Sequence, residues 1–403
     1  MNTTVVTSIE NQQNRQESKL PAVGSVLPQQ IQPQESKILL SRSPTNAIVV
    51  DRRRSVQVKM AVALCQWLQQ FHYQSGGIQL TEWHYFFKHI TNIQFMRSKT
   101  SSGCLFFVGT LQLHQLCEEL SHLVKLIILP DDQRQQFQIA CQFVQKNPTL
   151  NIFGKFIAPG KHPHLFQKFR LAEPFVFQHV TNLHQNQMCP HVLPLLMAGQ
   201  TSYLGNILES IPVEHVQSKE NLSTTLEEMN KNVFGPLTET ANIYIIEQST
   251  GITLHEYILK NGLSVTNAML IMFQATYFLK CLQVNGLSHG DLHLNNVFVE
   301  TDHVQKQIYF LDDGNTYFEI DFQLGMPYLR FFDWDFGWGN YFTAEDLPEG
   351  VYESRAFATV NGLCKTNGLC QTVAPQFDVF RFFAAFQEAT KRYIDLFYVN
   401  LLI

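Results

Sequence analysis

The apolar positions between residues 55 and 147 recur at intervals of three and four, which is the spacing of one face of an α-helix. The stretches with this spacing are VQVKMAVALCQWLQQF, TEWHYFFKHI, TLQLHQLCEELSHLVKLIIL and DDQRQQFQIACQFVQKN. The last stretch opens on two acidic residues, which suit the N-terminus of a helix. We therefore predict a helical region over residues 51–147.

A different pattern begins after Asn147, where the apolar runs become shorter and turn residues separate them. Predicted strands are LNIFGKFIAP, PHLFQKFRL, ANIYIIEQS, NNVFVE, QIYFLDD and YLRFFDW. Predicted helices are EPFVFQHVTNLHQ, TLHEYILKNG and SVTNAMLIMFQATYFLKCLQVNG, of which the last is apolar on most faces and ends at Gly286. This order predicts an α+β fold in which a small strand-rich part precedes a largely helical part.

Residues 1–50 differ from the rest of the chain because they are rich in Gln, Ser and Pro and poor in aromatic residues. Such a segment buries too little apolar surface to offset the entropy of ordering, so we predict a disordered tail. The N-terminal residues also lack the basic and apolar segments of a secretory signal. No uninterrupted apolar run of membrane-spanning length is visible, so no membrane span is expected.

Charge and cysteine content narrow the class of protein further. The formal net charge of −5 gives no reason to expect a nucleic-acid partner, because such proteins usually carry a basic excess. None of the eight cysteines forms a C-x-x-C pair, and their scattered positions are typical of reduced, buried thiols. These features predict a cytoplasmic protein.

The segment GLSHGDLHLNNVFVE, residues 286–300, concentrates polar side chains just before a predicted strand. Asp291 can accept the proton of a hydroxyl group or orient that hydroxyl. Asn296 can offer its side-chain carbonyl to a divalent metal. A second motif, DWDFG, follows the apolar strand YLRFF and supplies Asp333 and Asp335. Phosphoryl transfer from ATP needs such groups, together with Mg²⁺ and a lysine that fixes the phosphates.

These two motifs resemble those of the protein kinase superfamily. HGDLHLNN is similar to the catalytic loop, in which His-Arg-Asp is followed by Asn at the same spacing, and DWDFG is similar to the metal-binding Asp-Phe-Gly. The resemblance implies ATP and Mg²⁺ as cofactors. It also implies that Asp291 positions the acceptor hydroxyl, with His289 and His293 as the neighbouring catalytic residues.

The resemblance assigns the metal to Asn296 and to one of two aspartates. Asp335 carries the literal Asp-Phe-Gly, whereas Asp333 directly follows the apolar strand, as in viral relatives that read Asp-aromatic-Asp. We favour Asp333 and keep both.

The same template implies a set of nucleotide-binding residues. HLFQKFRL resembles the strand that carries the phosphate-binding lysine, which indicates Lys168. Its acidic partner would be Glu173, although this residue could equally be an N-terminal charge that stabilises the following helix. Gly154 is the best remnant of a phosphate-covering loop. Glu247 and Ser249 would lie at the hinge that holds adenine.

Two departures from the kinase pattern bear on the acceptor. Gly290 replaces the arginine that receives an activation-segment phosphate in many kinases, and His293 stands where protein kinases usually place a lysine. HGDLHxxN is closer to the aminoglycoside and choline phosphotransferases. The expected acceptor is a protein serine or threonine; the alternatives are a small-molecule acceptor, or a pseudokinase scaffold, which the missing Gly-rich loop suggests.

Further stretches resemble the divergent serine/threonine protein kinases of large nucleocytoplasmic DNA viruses, namely CPHVLPLL, NGLCKTNGLC and APQFDVFRFF. The resemblance implies a two-lobed protein-kinase-like fold, with a β-rich lobe at 148–249 and a helical lobe at 250–403 that is truncated at its C-terminus. Asp378 would brace the catalytic loop through its backbone, and LDDGNTYFEIDF would form an inserted hairpin. The helical extension would dock on the kinase lobe or on a partner. A viral protein of this kind would be located in the host cytoplasm or in the virion.

Overall fold

The structure is a computed structural model, and all the residues it describes lie in the part of the chain between Pro44 and Ile403. The described residues are 57–68, 86–97, 104–126, 131–157, 173–185, 188–201, 211–218, 224, 241–303, 306–310, 317–339, 342–343, 345 and 375–401. The predicted tail at 1–50 and the predicted strand around Lys168 lie outside them.

Five antiparallel strands form the largest sheet. They are β1 (Ile90–Arg97), β2 (Cys104–Gln112), β3 (Thr149–Ile157), β4 (Leu195–Thr201) and β5 (Ala241–Glu247). Their order in the sheet is β1-β2-β3-β5-β4, so β3 lies in the centre. The predictions of β3 and β5 are confirmed.

The strands β1 and β2 correct the prediction that residues 51–147 are helical throughout. Along β2, buried and half-buried positions alternate, which is the period of a strand with one face on the core. The sequence CLFFVGTLQ is also rich in the aromatic and β-branched residues that favour strands. The apolar spacing of TLQLHQL spans two elements, because the strand ends at Gln112 and the helix begins at the next residue.

Within the described residues, three helices of the predicted helical region have defined bounds: α1 (57–68), α2 (Leu113–Leu126) and α3 (Asp131–Lys146). They share one hydrophobic core with β1, β2 and β3. A disulfide joins Cys117 of α2 to Cys141 of α3, so the prediction of reduced thiols is wrong for this pair. Of the other cysteines within the described ranges, Cys65, Cys189 and Cys281 are free thiols.

The helix α4 (Glu173–Gln185) confirms the helix predicted for EPFVFQHVTNLHQ. It follows β3 in the described chain and packs against β4 and β5. It belongs to a second hydrophobic core, which also takes in the later helices. The side chain of Thr181 fixes the start of β4 by accepting a hydrogen bond from the Leu195 amide at 2.8 Å.

Two helices confirm the predictions for residues 253–286. These are α5 (Leu254–Asn261) and α6 (Val265–Val284), and their N-termini are capped by the side chains of Thr253 and Ser264. Gly286, just after α6, has a φ of 64°, as expected of a glycine that ends a helix. Among the described helices α6 alone is long and apolar enough to cross a membrane, but core helices pass this test too, and no clear span follows.

Short strands and a last helix complete the described fold. The strands are β6 (Ile252–Thr253), β7 (Leu287–Ser288), β8 (Val297–Glu300), β9 (Lys306–Phe310), β10 (Tyr317–Asp321), β11 (Tyr328–Phe331) and β12 (Trp338–Gly339). The strands β9 and β10 pair antiparallel, as expected for the strands of the predicted hairpin. The helix α7 spans Pro375–Leu401. Helices and antiparallel sheets together make this a mixed fold, in agreement with the predicted α+β class.

Candidate active site

A buried lysine in the central strand is the focus of the site. Lys155 lies in β3 between Phe106 of β2 and Tyr244 of β5, which are its cross-strand partners. The residue is only 2% exposed. Its Nζ lies 2.7 Å from Oε2 of Glu173, the first residue of α4, and 3.1 Å from Oδ1 of Asp333.

The same ammonium group also contacts Oδ1 of Asp335, so three carboxylates surround one buried cation. Burial lowers the pKa of Lys155, but the carboxylates of Asp333, Asp335 and Glu173 outweigh burial and raise it well above its ordinary value. The lysine is therefore charged at neutral pH. Burial, together with the two aspartates, raises the pKa of Glu173 well above its ordinary value, against the opposing effect of Lys155.

The turn after β11 places the two aspartates on either side of a buried tryptophan. Asp333 has a φ of 65°, a conformation that a non-glycine residue adopts at a cost and that is concentrated at functional sites. Trp334 is fully buried, and its ring centroid lies 4.6 Å from that of His289 and 6.2 Å from that of Phe177 in α4. The side chain of Asp333 is 33% exposed and that of Asp335 is 12% exposed.

The segment from His289 to Asn296 is hydrogen-bonded to the helix α7. The carboxylate of Asp378 accepts hydrogen bonds from the amides of His289, at 2.6 Å, and Gly290, at 2.8 Å. The prediction that Asp378 braces this loop through its backbone is confirmed. The ring of His289 also bonds through Nε2 to the carbonyl of Phe332 at 2.9 Å, and burial lowers its pKa to about 3, so His289 is neutral and structural.

Asp291 and Asn296 lie together on this loop. The side-chain amide of Asn296 donates a hydrogen bond to the backbone carbonyl of Asp291 at 3.0 Å. The backbone carbonyl of Asn296 accepts a hydrogen bond from the amide of Phe332 at 3.2 Å. The carboxylate of Asp291 lies 2.5 Å from Nη1 of Arg381 and 3.7 Å from Nε2 of His293. The loop with Asp291 and the turn with Asp333 are thus directly hydrogen-bonded to each other.

Gly290 has a structural reason to be glycine. Its φ is 77°, and a Cβ built on it would lie 2.2 Å from the carbonyl oxygen of Phe336. Any side chain, including the arginine that many kinases carry at this position of the motif, would collide with the turn that carries the two aspartates.

We expect Gly290→Ala to lower the free energy of unfolding by about 2 kcal/mol or more, because the variant meets both an unfavourable φ and a backbone collision. Gly325→Ala is the matched control, since Gly325 has a φ of 92° but a Cβ there would meet nothing within 4 Å. Urea unfolding of both variants separates the two costs. Equal losses would contradict a close approach at Gly290.

The two predicted hinge residues belong to a second buried polar group. Arg330 of β11 lies 3.6 Å from a carboxylate oxygen of Glu247 and 3.4 Å from one of Glu300. Ser249 donates from its hydroxyl to the other oxygen of Glu300 at 2.9 Å. Glu247, the last residue of β5, therefore contacts the strand that leads to Asp333, and Ser249, just after β5, is tied to β8 through Glu300.

Gly154 does not lie in a loop. It is in the middle of β3, opposite Phe107 of β2 and Ile245 of β5. A Cβ on Gly154 would lie 2.1 Å from the Phe107 ring, so the glycine makes room for that ring. The interpretation of Gly154 as part of a phosphate-covering loop is wrong because the residue is needed for sheet packing.

Lys168, the predicted phosphate-binding lysine, lies outside the described residues, and the lysine that contacts Glu173 is Lys155. Sequence reasoning missed Lys155 because it stands beside Gly154, which the kinase template assigns to a loop. A usable signal was present: Lys155 is the one charged residue in an otherwise uncharged strand. It also precedes Glu173 by 18 residues, which leaves room for a connection, whereas Lys168 precedes it by only a few.

The carboxylates around Lys155 are also the groups that could bind a metal ion. One carboxylate oxygen from each of Glu173, Asp333 and Asp335 lies within 4.8 Å of the others. Glu173 is already held, since it is fully buried and also accepts a hydrogen bond from the Tyr244 hydroxyl at 2.8 Å. The two aspartates are more accessible and offer the hard oxygen ligands that Mg²⁺ prefers.

A scan against protein-family models finds no match for this chain, and a search of the curated proteins also finds none.

Proposed function

We propose that the protein is a phosphotransferase that uses ATP and Mg²⁺ to phosphorylate a serine or threonine of a protein. The observation that carries this proposal is the convergence on Lys155 of Glu173 and Asp333, next to the loop with Asp291 and Asn296. Protein kinases use this set of groups, with the lysine on a central strand, a glutamate on the next helix and a metal-binding aspartate.

Each residue has a role that follows from its position. Lys155, held by Glu173, would contact the phosphates of ATP, since it is charged and rigidly placed. Asp291 would orient the acceptor hydroxyl and receive its proton. Asn296 and Asp333 would hold Mg²⁺, which neutralises charge on the phosphates.

Asp333 is the better of the two candidate aspartates for the metal. Its side chain is the more exposed, at 33% against 12% for Asp335. The residue after Asp333 is Trp334, which packs between α4 and the ring of His289, as the phenylalanine of Asp-Phe-Gly would be expected to pack. In this proposal Trp334 replaces that phenylalanine, and Asp335 helps to hold Lys155.

A two-lobed protein-kinase-like fold, resembling the viral enzymes, is part of the proposal. Its strand-rich lobe would take in β1 and β2 and would thus begin near Ile90 rather than at residue 148. The hinge between the lobes would lie near Ser249.

Gly290 and His293, the two residues that suggested a small-molecule acceptor, are both explained by contacts within their own loop and the neighbouring turn. Gly290 is required by the close approach of Phe336. The ring of His293 accepts a hydrogen bond from the amide of Asn295 at 3.2 Å, so this histidine caps the turn that contains Asn296. Neither residue therefore favours a small acceptor over a protein.

The test is transfer from ATP labelled in its γ-phosphate by the purified full chain with Mg²⁺. Parallel reactions would contain a basic acceptor protein, a mixture of aminoglycosides and choline, or no acceptor, and Mg·ATP-induced stabilisation would be measured by thermal unfolding. Label on serine or threonine supports the proposal. Label on a small molecule would replace the acceptor class, and no label together with no stabilisation would overturn the proposal in favour of a scaffold.

A further inference from the structure

Arg381 contacts the proposed catalytic Asp291 but has no role in the function proposed above. It belongs to α7, far along the chain from the loop that carries Asp291, yet its guanidinium lies 2.5 Å from the Asp291 carboxylate. Its side chain is largely buried, at 18% exposure, so the ion pair is partly shielded from solvent.

The placement of Arg381 follows from the helix that braces the loop. Arg381 comes three residues after Asp378, so the two side chains lie on neighbouring positions of one helix face. Asp378 holds the amides of His289 and Gly290 with both carboxylate oxygens. One turn of α7 therefore fixes both the backbone of the loop and the side chain of Asp291.

Phosphoryl transfer is accelerated by positive groups placed where negative charge spreads over the oxygens of the transferred phosphoryl group. Lys155 serves the ATP side in the proposed function, where Glu173, Asp333 and Asp335 surround it. His293 stands at the sequence position of the usual lysine, but its Nδ1 accepts a hydrogen bond from the amide of Asn295 at 3.2 Å, so this nitrogen carries no proton. A guanidinium stays charged at any such pH and can bridge two anionic oxygens with its planar fork.

We propose that Arg381 is the residue that positions Asp291 and supplies the positive charge on the acceptor side of the transferred phosphoryl group. This inference rests on the proposed phosphotransferase function and adds a residue from α7 to it. One branch of the guanidinium holds Oδ1 of Asp291, and Nε2 of His293 lies 3.7 Å from Oδ2, so the carboxylate is fixed in orientation towards the acceptor hydroxyl. The other branch faces the oxygens of the phosphoryl group as the bond to ADP breaks and the bond to the acceptor oxygen forms.

The test compares Arg381→Gln and Arg381→Lys in the full-length protein, with labelled ATP and Mg²⁺ and with label counted on any acceptor, including the chain itself. We expect Arg381→Gln to lower kcat about 100-fold, with the KM for ATP changed by less than about threefold, since the loss falls on the transition state. Arg381→Lys keeps the charge and is expected to recover about a tenth of the wild-type kcat. Lys391→Gln is the matched control, because Lys391 is an exposed cation on the same helix that pairs with Glu388.

The possible outcomes separate this inference from the function it rests on. A kcat for Arg381→Gln within about twofold of wild type would overturn the role of Arg381 alone and leave the phosphotransferase proposal standing. Equal losses in the Gln and Lys variants, with a matching fall in Tm and in Mg·ATP-induced stabilisation, would show a purely structural role and would also overturn it. Absence of transfer by the wild-type chain would overturn both proposals.

Discussion

Replacing Asp291 by asparagine is expected to reduce phosphoryl transfer by about 10²- to 10⁴-fold, the usual contribution of a positioned general base. Asparagine has nearly the same shape, but it cannot take a proton from the acceptor. The substitution leaves in place the backbone carbonyl of residue 291, which accepts a hydrogen bond from the Asn296 side chain, so the loop should keep its conformation. The measurement is transfer of labelled γ-phosphate under saturating Mg·ATP.

The control for this variant is Asp321→Asn, which removes the same charge from an exposed position at the end of β10. It should leave transfer unchanged. Thermal unfolding with and without Mg·ATP shows whether the Asp291 variant is folded and still binds nucleotide. Wild-type turnover in a folded Asp291→Asn protein would remove Asp291 from the mechanism.

Replacing Lys155 by methionine is expected to have the largest combined effect, on stability as well as on transfer. The change leaves Glu173, Asp333 and Asp335 around a site that has lost its cation. Breaking a buried ion pair by removing one partner typically costs about 3–5 kcal/mol of stability. Transfer should fall below detection, because the group that would hold the ATP phosphates is gone.

Two further variants make the result specific to Lys155. Lys155→Met combined with Glu173→Gln removes one of the surplus carboxylates and should regain part of the lost stability, as followed by urea unfolding, but no transfer. Lys168→Met tests the lysine that the sequence pattern indicates, and we expect it to be close to wild type. Loss of transfer in Lys168→Met with retention in Lys155→Met would reverse the assignment.

The sequence predicts those parts of the site in which the functional residues are close together in the chain. Asp291 and Asn296 fall within one short loop, and Asp333 and Asp335 in one turn, so their spacing is visible directly. The contact from Asp378 was also predictable, but only through the resemblance to kinases. Periodicity likewise identifies the long helix α6 and the strands β3 and β5, which are either strongly apolar or bounded by turns.

The parts that the sequence does not reveal depend on contacts between distant segments. Lys155 meets Asp333 across 178 residues, and Arg381 meets Asp291 from a different helix, so no local spacing marks either pair. A glycine such as Gly154 favours a loop interpretation because glycine is common in loops, but its real constraint is a ring on the neighbouring strand. The disulfide between Cys117 and Cys141 was missed for the same reason, since it depends on how α2 and α3 pack.

The pairing of β2 with β3 has a consequence for how the chain is assembled. Gln112, the last residue of β2, lies opposite Thr149, the first residue of β3, so the chain leaves the sheet and returns to it at the same point. The helices α2 and α3 thus form an insertion whose two ends meet, and a short hairpin turn could join the strands without changing the register at Lys155. The insertion is nevertheless part of the core through buried residues such as Leu116, Leu120, Ala140 and Val144. The two helices could therefore be removed without breaking the path of the chain, but their buried side chains stabilise the core. A shortened chain would need other apolar side chains to pack against that face of the sheet.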